Sequence, residues 1–360
     1  MRFRLLSRAG AALALFALAT AAPAHADRWF GKITASCDSF GLCGLFPEMP
    51  DPPGDSASLQ IARAGKADAP VEIRIYVNRP VEGGAPIRLE LGDVVFDLKP
   101  GTDIVTRRAT QDGKERTVGY WIAAPRVGEV LAALRKTSTG HLKITITSFI
   151  NGQTQAQDRL ILLDGLDEAL RYLDERQERA GAQDAIILKG PRAAADVAVP
   201  KPLPARAQWP KEIERIFKRN NCEDRLATFE ELQQGSIATP SAGHELWQVP
   251  CAGGNYNILF LGIDIRNANP KTARQLFFPT RLHRRAARVL TNPVWWDSAK
   301  EIWAFERGHS QGDCGTVALY RWTERGLALV NERQKEDCDG TFTDPWTTWA
   351  KTQPKRRARQ

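Results

Sequence analysis

At 360 residues, with 42% hydrophobic side chains and 10 Trp, the chain has ample material for packed cores, which excludes a disordered or low-complexity protein. Its 50 Lys+Arg stand against 42 Asp+Glu, but three Arg fall in the first 26 residues and five basic residues in the last ten, with no acid in either stretch. The body between them is formally neutral, which excludes a nucleic-acid-binding domain with a basic face.

Arg2, Arg4 and Arg8 precede an uncharged run, Ala11 to Ala22, built on Leu13, Leu15, Phe16 and Leu18. Ala24-His25-Ala26 then supplies the small-x-small pattern of a signal-peptidase site, so residues 1–26 are expected to be a signal peptide cut after Ala26. The run of about 12 residues is short of the roughly 20 that span a bilayer. No Cys stands at the cut, and no later segment is long and apolar enough to span. The expected location is the periplasm or outside the cell, without a transmembrane segment in the mature chain.

From Asp27 to about Leu163 the pattern predicts mainly strands. Val71, Ile73, Ile75 and Val77 alternate with polar residues, as do Ile87, Leu89 and Leu91, and Leu142, Ile144 and Ile146. Asn151-Gly152 is a tight-hairpin pair. A short helix is expected over Val127 to Arg135. A second follows Asp164 as cap, with Leu166, Ala169, Leu170 and Leu173 on one stripe. Residues 27–179 are thus read as a β-rich first domain ending in a helix. The Ala/Pro-rich stretch 180–208, with Pro191, Pro200, Pro202 and Pro204, is read as an extended linker.

A second, α+β domain is expected over 209–350. It opens with a helix from Pro210 to Asn220, in which Ile213, Ile216 and Phe217 share a face. Strands are predicted at 245–249, 257–265 and 302–306, followed by a hairpin from Cys314 through Trp322 and back from Leu327. Trp209, Trp247, Trp303 and Trp322 belong to apolar-periodic segments and are expected in the core. Trp295, Trp296, Trp346 and Trp349 stand near Pro, where an aromatic shelf for sugar rings is the alternative to loop anchoring. Residues 351–360 form a basic tail expected to stay solvated and disordered.

Six Cys behind a signal peptide point to three disulfides. A hairpin folded about Arg325 and Gly326 sets Cys314 opposite residue 337 or so, close to Cys338. Cys37 and Cys43 share a short loop and are expected to pair, which leaves Cys222 with Cys251. Without a C-x-x-C or a close His pair, no metal site is expected, and no cofactor motif is present.

Gly308-His309-Ser310-Gln311-Gly312 fits the G-x-S-x-G elbow of α/β-hydrolases, but its context fails twice. A strand-like stretch follows it in place of a helix, and no His comes after His309; His141, His244 and His283 all precede it. Around the expected Cys314–Cys338 bridge, Asp313, Glu336, Asp337 and Asp339 would gather near Arg307 and His309, where clustered carboxylates could bind a ligand or a cation such as Ca²⁺. Arg281, Arg284, Arg285 and Arg288 with His283 read as a basic helical face.

Leu166 to Gln177, Val249-Pro-Cys251 with Asn255-Tyr-Asn257, Gly312-Asp-Cys-Gly315, Tyr320-Arg-Trp322 and Asp337-Cys-Asp-Gly340 together resemble a family of uncharacterised exported proteobacterial proteins, domain of unknown function 1176. The first domain, with Cys37 and Cys43 close together, is also similar to the invasion-associated locus B proteins. The resemblance implies a periplasmic or secreted protein with paired cysteines and carries no activity. The expected fold is α+β and β-rich: two domains of mainly antiparallel sheet with short helices, stapled by disulfides. The expected function is a non-catalytic envelope protein that binds an unknown envelope protein, a glycan or a lipid headgroup, and no nucleic acid. The alternative is a periplasmic hydrolase using Ser310 or the carboxylates near His309.

Overall fold

A computed structural model describes residues 27–48, 57–77, 86–111, 114–137, 140–150, 153–222, 235–253, 257–282, 286–308, 314–338 and 347–351. The signal-peptide and Asn151-Gly152 expectations lie outside the described residues, as does the basic tail except Lys351, which is not disordered but ends a strand and pairs with Asn331. Among the described residues, four antiparallel sheets carry the fold, as the alternating patterns predict.

The first half begins with β1 (Asp27–Phe30), β2 (Ile33–Cys37), β3 (Cys43–Pro47), β4 (Ala57–Arg63) and β5 (Val71–Val77). It continues through β6 (Ile87–Leu91), β7 (Val94–Leu98), β8 (Ile104–Gln111), β9 (Lys114–Ile122), α1 (Ala124–Lys136), β10 (His141–Ile150), β11 (Gln153–Leu162) and α2 (Leu166–Arg176). One sheet has the order β1-β2-β3-β4-β5-β9-β8 and the other β11-β10-β6-β7. Ile73 and Ile75 of β5, Leu89 of β6 and Ile144 of β10 are fully buried in one core, so the period-2 stripes do face inward. Val130 and Leu134 of α1 and Leu166, Ala169, Leu170 and Leu173 of α2 cover the same core.

The cap of α2 departs from expectation. Gly165, not Asp164, is the N-cap residue; it sits at φ +88° with no side-chain cap. A Cβ there would meet the carbonyl oxygen of Phe30 at 2.0 Å, and the Asp164 carbonyl is already taken by the Lys32 N–H. Close approach of the β1–β2 turn, not capping chemistry, selects the residue.

Residues 180–192 fold back onto β4. The buried Asp174 carboxylate accepts from the N–H groups of Ile186, Ile187 and Leu188, and Arg63 pairs with Asp174 and Asp184. Arg179 also pairs with Asp184 and, like Arg63, is buried.

The second half contains β12 (Lys201–Pro202), α3 (Lys211–Arg219), β13 (Ser236–Ala238), β14 (His244–Ala252), β15 (Leu259–Arg266), β16 (Asn269–Gln275) and β17 (Leu290–Thr291). It closes with β18 (Val294–Trp296), β19 (Glu301–Arg307), β20 (Gly315–Thr323), β21 (Gly326–Lys335) and β22 (Thr347–Lys351). The third sheet runs β12-β13-β14-β15-β16 with β17 also on β15, and the fourth runs β18-β19-β20-β21-β22. Ile213, Ile216 and Phe217 of α3 pack on Val249, Leu261 and Ile263 of the third sheet, the face predicted for that helix.

Both faces of the fourth sheet are covered. Ile302, Ala304, Ala318 and Tyr320 face the third sheet, while Trp303, Phe305, Val317 and Leu319 face outward onto Trp29 of β1. Trp29 meets Phe305 edge-on at 6.3 Å. Further along this seam Arg176 lies 4.0 Å over the Trp296 ring, and the Trp295 N–H donates to the Ser39 hydroxyl at 3.0 Å. Trp295 is buried and Trp296 lies beneath Arg176, so these two do not form the open aromatic shelf. Trp209, Trp247, Trp303 and Trp322 are all buried, as expected.

Candidate functional site

All six cysteines are paired, as Cys37–Cys43, Cys222–Cys251 and Cys314–Cys338. The first pair sits directly opposite across β2 and β3. The third closes the open end of the β20–β21 hairpin, but the register differs from the prediction by two features. The loop is Glu324-Arg325, with Thr323 opposite Gly326, and a bulge at Val330 shifts the register by one residue between the Leu319–Asn331 and Tyr320–Leu329 pairs.

That bulge has a chemical consequence. A strand presents alternate residues to one face, so Leu329 and Glu332 would ordinarily point opposite ways. The extra residue flips the later part of β21, and Glu332, paired with Ala318, turns inward on the face that Leu329 and Tyr320 share. Ala304 of β19 stands opposite Ala318. Two methyl side chains side by side leave the sheet surface low, and a hollow of about 90 Å³ lies over them.

The hollow's polar groups are Glu332, Tyr320, Glu306, Thr316, Thr291 and Thr280. Glu332 is 2% exposed; the Thr280 hydroxyl donates to its Oε1 and the Arg281 N–H to its Oε2 at 2.6 Å. Tyr320 is also 2% exposed, its ring edge-on to Phe278 at 5.7 Å. Burial first, and then the Glu332 carboxylate, push the Tyr320 hydroxyl far above the usual phenol range, so it stays a neutral O–H. Glu306 and Thr316 form the cross-strand pair one step inward of Arg307 and Gly315, which places the hollow beside the disulfide end of the hairpin.

Of the residues singled out there from sequence, Glu336 and Asp337 are exposed beyond the end of β21. His309, Ser310, Asp313 and Asp339 lie outside the described residues, as do His283, Arg284 and Arg285. Arg307 is fastened through its backbone: its N–H donates to Asn257 Oδ1 at 3.0 Å, and Asn257 Nδ2 donates to its carbonyl at 2.8 Å. The basic helical face is a misreading, because Ala287 bridges Phe278 in an antiparallel pair and residues 286–289 are not helical. Backbone pairing with Phe278 overrides the i, i+4 spacing of the arginines.

A second constellation was invisible in sequence. His244 Nδ1 lies 2.8 Å from Oδ1 of fully buried Asp264, whose Oδ2 accepts from Arg274 Nε at 2.9 Å. The imidazole also meets Trp322 edge-on at 5.3 Å, and Trp322 Nε1 donates to the Ser241 hydroxyl. These contacts brace β14, β15, β16 and β20, and no described hydroxyl is hydrogen-bonded to the other ring nitrogen. Among the described residues no group of three or more His, Cys, Asp or Glu is placed to hold a metal ion, and no helix is long and apolar enough to cross a membrane.

Among the described residues, four antiparallel sheets, three short α-helices and three disulfides define a β-rich, disulfide-stapled α+β protein. Such bridges are consistent with a location outside the cytoplasm. The chain belongs to the family described as protein of unknown function (DUF1176), whose model matches residues 27–353. Uncharacterized protein YpfG of Escherichia coli (strain K12) is 25% identical over 228 residues, covering 57% of this chain and 65% of that protein, just under two thirds of its length. The crystal structure of invasion associated protein B from Bartonella henselae is 20% identical, covering 42% of this chain and 98% of its own, with a TM-score of 0.32, too low to support an argument.

Proposed function

We propose that this chain is a non-catalytic ligand-binding protein of the cell envelope, exported to the periplasm or beyond after cleavage behind Ala26. Its partner is an envelope protein, a glycan or a lipid headgroup. In this reading 27–179 and 209–350 are separate domains joined by 180–208, and the second carries the site. His309, Asp313, Asp337 and Asp339, close in sequence to strands that line the hollow, belong to the ligand's approach.

One observation carries the reading: the hollow over Ala304 and Ala318 holds a buried carboxylate and a buried hydroxyl within a rigid, disulfide-closed sheet. A folding core alone does not need a charged group there, and preorganised polar groups in a small concavity are what a binding site requires. The test is a photo-crosslinking side chain at exposed Glu306, beside the hollow, with one at exposed Glu129 on α1 as control. In intact cells the Glu306 position should yield discrete adducts and the control none. Equal labelling, or no adduct at Glu306, removes the reading. A covalent fluorophosphonate adduct at Ser310 would instead establish the hydrolase alternative.

A further inference from the structure

Among the described residues, Glu332 is short of charge compensation. Its oxygens receive a hydroxyl and a backbone N–H, both neutral donors, and no described cation pairs with it. Burying a carboxylate without a counter-charge is expensive, and such groups are ordinarily paired. Beside it the Tyr320 hydroxyl, in a side chain 2% exposed, has no hydrogen-bond partner among the described residues. Both groups line the same hollow.

The rest of the wall is mixed, with Glu306, Thr316, Thr291 and Thr280 beside an apolar stretch from Ala304, Ala318, Leu290 and Val289. A hard cation such as Ca²⁺ asks for six to eight oxygen ligands, and among the described residues no group of three or more His, Cys, Asp or Glu is placed to hold one. An anion would face Glu332 inside and Glu306 beside it. The volume of about 90 Å³ sets the size. Where one water needs roughly 10–15 Å³, there is space for on the order of six non-hydrogen atoms.

We propose that this hollow holds a primary ammonium group on a short aliphatic stem. Glu332 provides the counter-charge, the Tyr320 oxygen accepts one N–H, and the Ala304 and Ala318 methyls with Leu290 and Val289 cover the hydrocarbon. The inference rests on the binding-protein reading and names its ligand chemistry. A free alkylamine and the lysine side chain of a partner protein both present this group.

The test is calorimetric titration of the full, disulfide-intact chain with n-butylamine and with N-acetyl-lysinamide, using butan-1-ol and butyrate as uncharged and anionic controls. At least one amine should bind while both controls do not. Binding by n-butylamine alone assigns the free amine, by N-acetyl-lysinamide alone the protein side chain, and by both the shared ammonium group. Glu332→Gln should weaken binding by on the order of tenfold or more, and Tyr320→Phe by roughly three- to tenfold. Tyr320→Phe removes one oxygen, keeps the ring, and carries the test should Glu332→Gln fail to fold. Equal binding of butan-1-ol, undiminished binding by both variants, or no heat from either amine up to about 10 mM, beyond the weak end of specific affinities, overturns the proposal. Amine failure with Glu306 crosslinks still forming removes the ammonium alone and leaves the binding-protein reading in place.

Discussion

Asp174 shows how much one side chain can organise. Fully buried at the end of α2, it gathers three consecutive N–H groups from Ile186 to Leu188 and lies 3.6 Å from the Arg63 guanidinium. Burial is the larger influence on Arg63 and lowers its pKa, while Asp174 acts to raise it. Removing Asp174 leaves three N–H donors unanswered and Arg63 with Asp184 as its carboxylate partner. Asp174→Ala should therefore cost about 3–5 kcal/mol in urea unfolding. Exposed Glu129→Ala on α1 should stay within about 0.5 kcal/mol. A loss for Asp174→Ala no larger than the control's would mean that 180–192 is held by other contacts. Gly165→Ala is a second residue-scale test: αL geometry and the Phe30 carbonyl together should cost about 2–4 kcal/mol, read as a lowered unfolding midpoint. At this scale the sequence was poorly legible. Asp164 looks like a cap because Asp is a good one, and nothing local reveals that a distant turn occupies its place.

Among elements, the disulfides differ in what they hold. Cys222–Cys251 closes a separation of 29 residues and sits buried in the α3 core, whereas Cys37–Cys43 spans 6 residues between adjacent strands. Chain entropy then gives about 3.5 kcal/mol for the first and about 2.3 kcal/mol for the second. The double variant C222A/C251A should lower stability more than C37A/C43A, and equal losses would indicate that strand pairing, not loop closure, sets the effect. Strands with one clean apolar face, such as β5, β6 and β10, were legible from alternation, and α1 and α3 from their stripes. The edge strand β16, Asn-Pro-Lys-Thr-Ala-Arg-Gln, was not, because Ala273 is its one core-packed apolar residue and no alternation marks it; pairing with β15 makes it a strand. The bulge at Val330 was equally hidden, and without it Glu332 would face the other way.

For the whole molecule the question is how the halves hold together. The Trp29–Phe305 contact, the Arg176–Trp296 stack and the Ser39–Trp295 hydrogen bond join β1, α2 and the β2–β3 turn to the fourth sheet. A site-specific protease sequence inserted between Ala194 and Ala195 should therefore yield two pieces that co-elute under native conditions and separate only in denaturant. Separation on native gel filtration would mean that the seam contributes little. Arg176→Ala in the cut protein should loosen the pair, since a buried guanidinium on an indole face contributes packing as well as charge.

Alternation of apolar residues was sufficient, by itself, to establish a β-rich chain with short helices, because strand period is a local property; hairpin geometry and a short loop paired four sulfurs, and Cys222–Cys251 followed as the pair left over. The inward turn of Glu332, the hollow over Ala304 and Ala318, and the buried seam at Trp29 arose only in three dimensions. A one-residue slip of register reverses every following side chain, and which large residue covers which face depends on partners more than two hundred residues away.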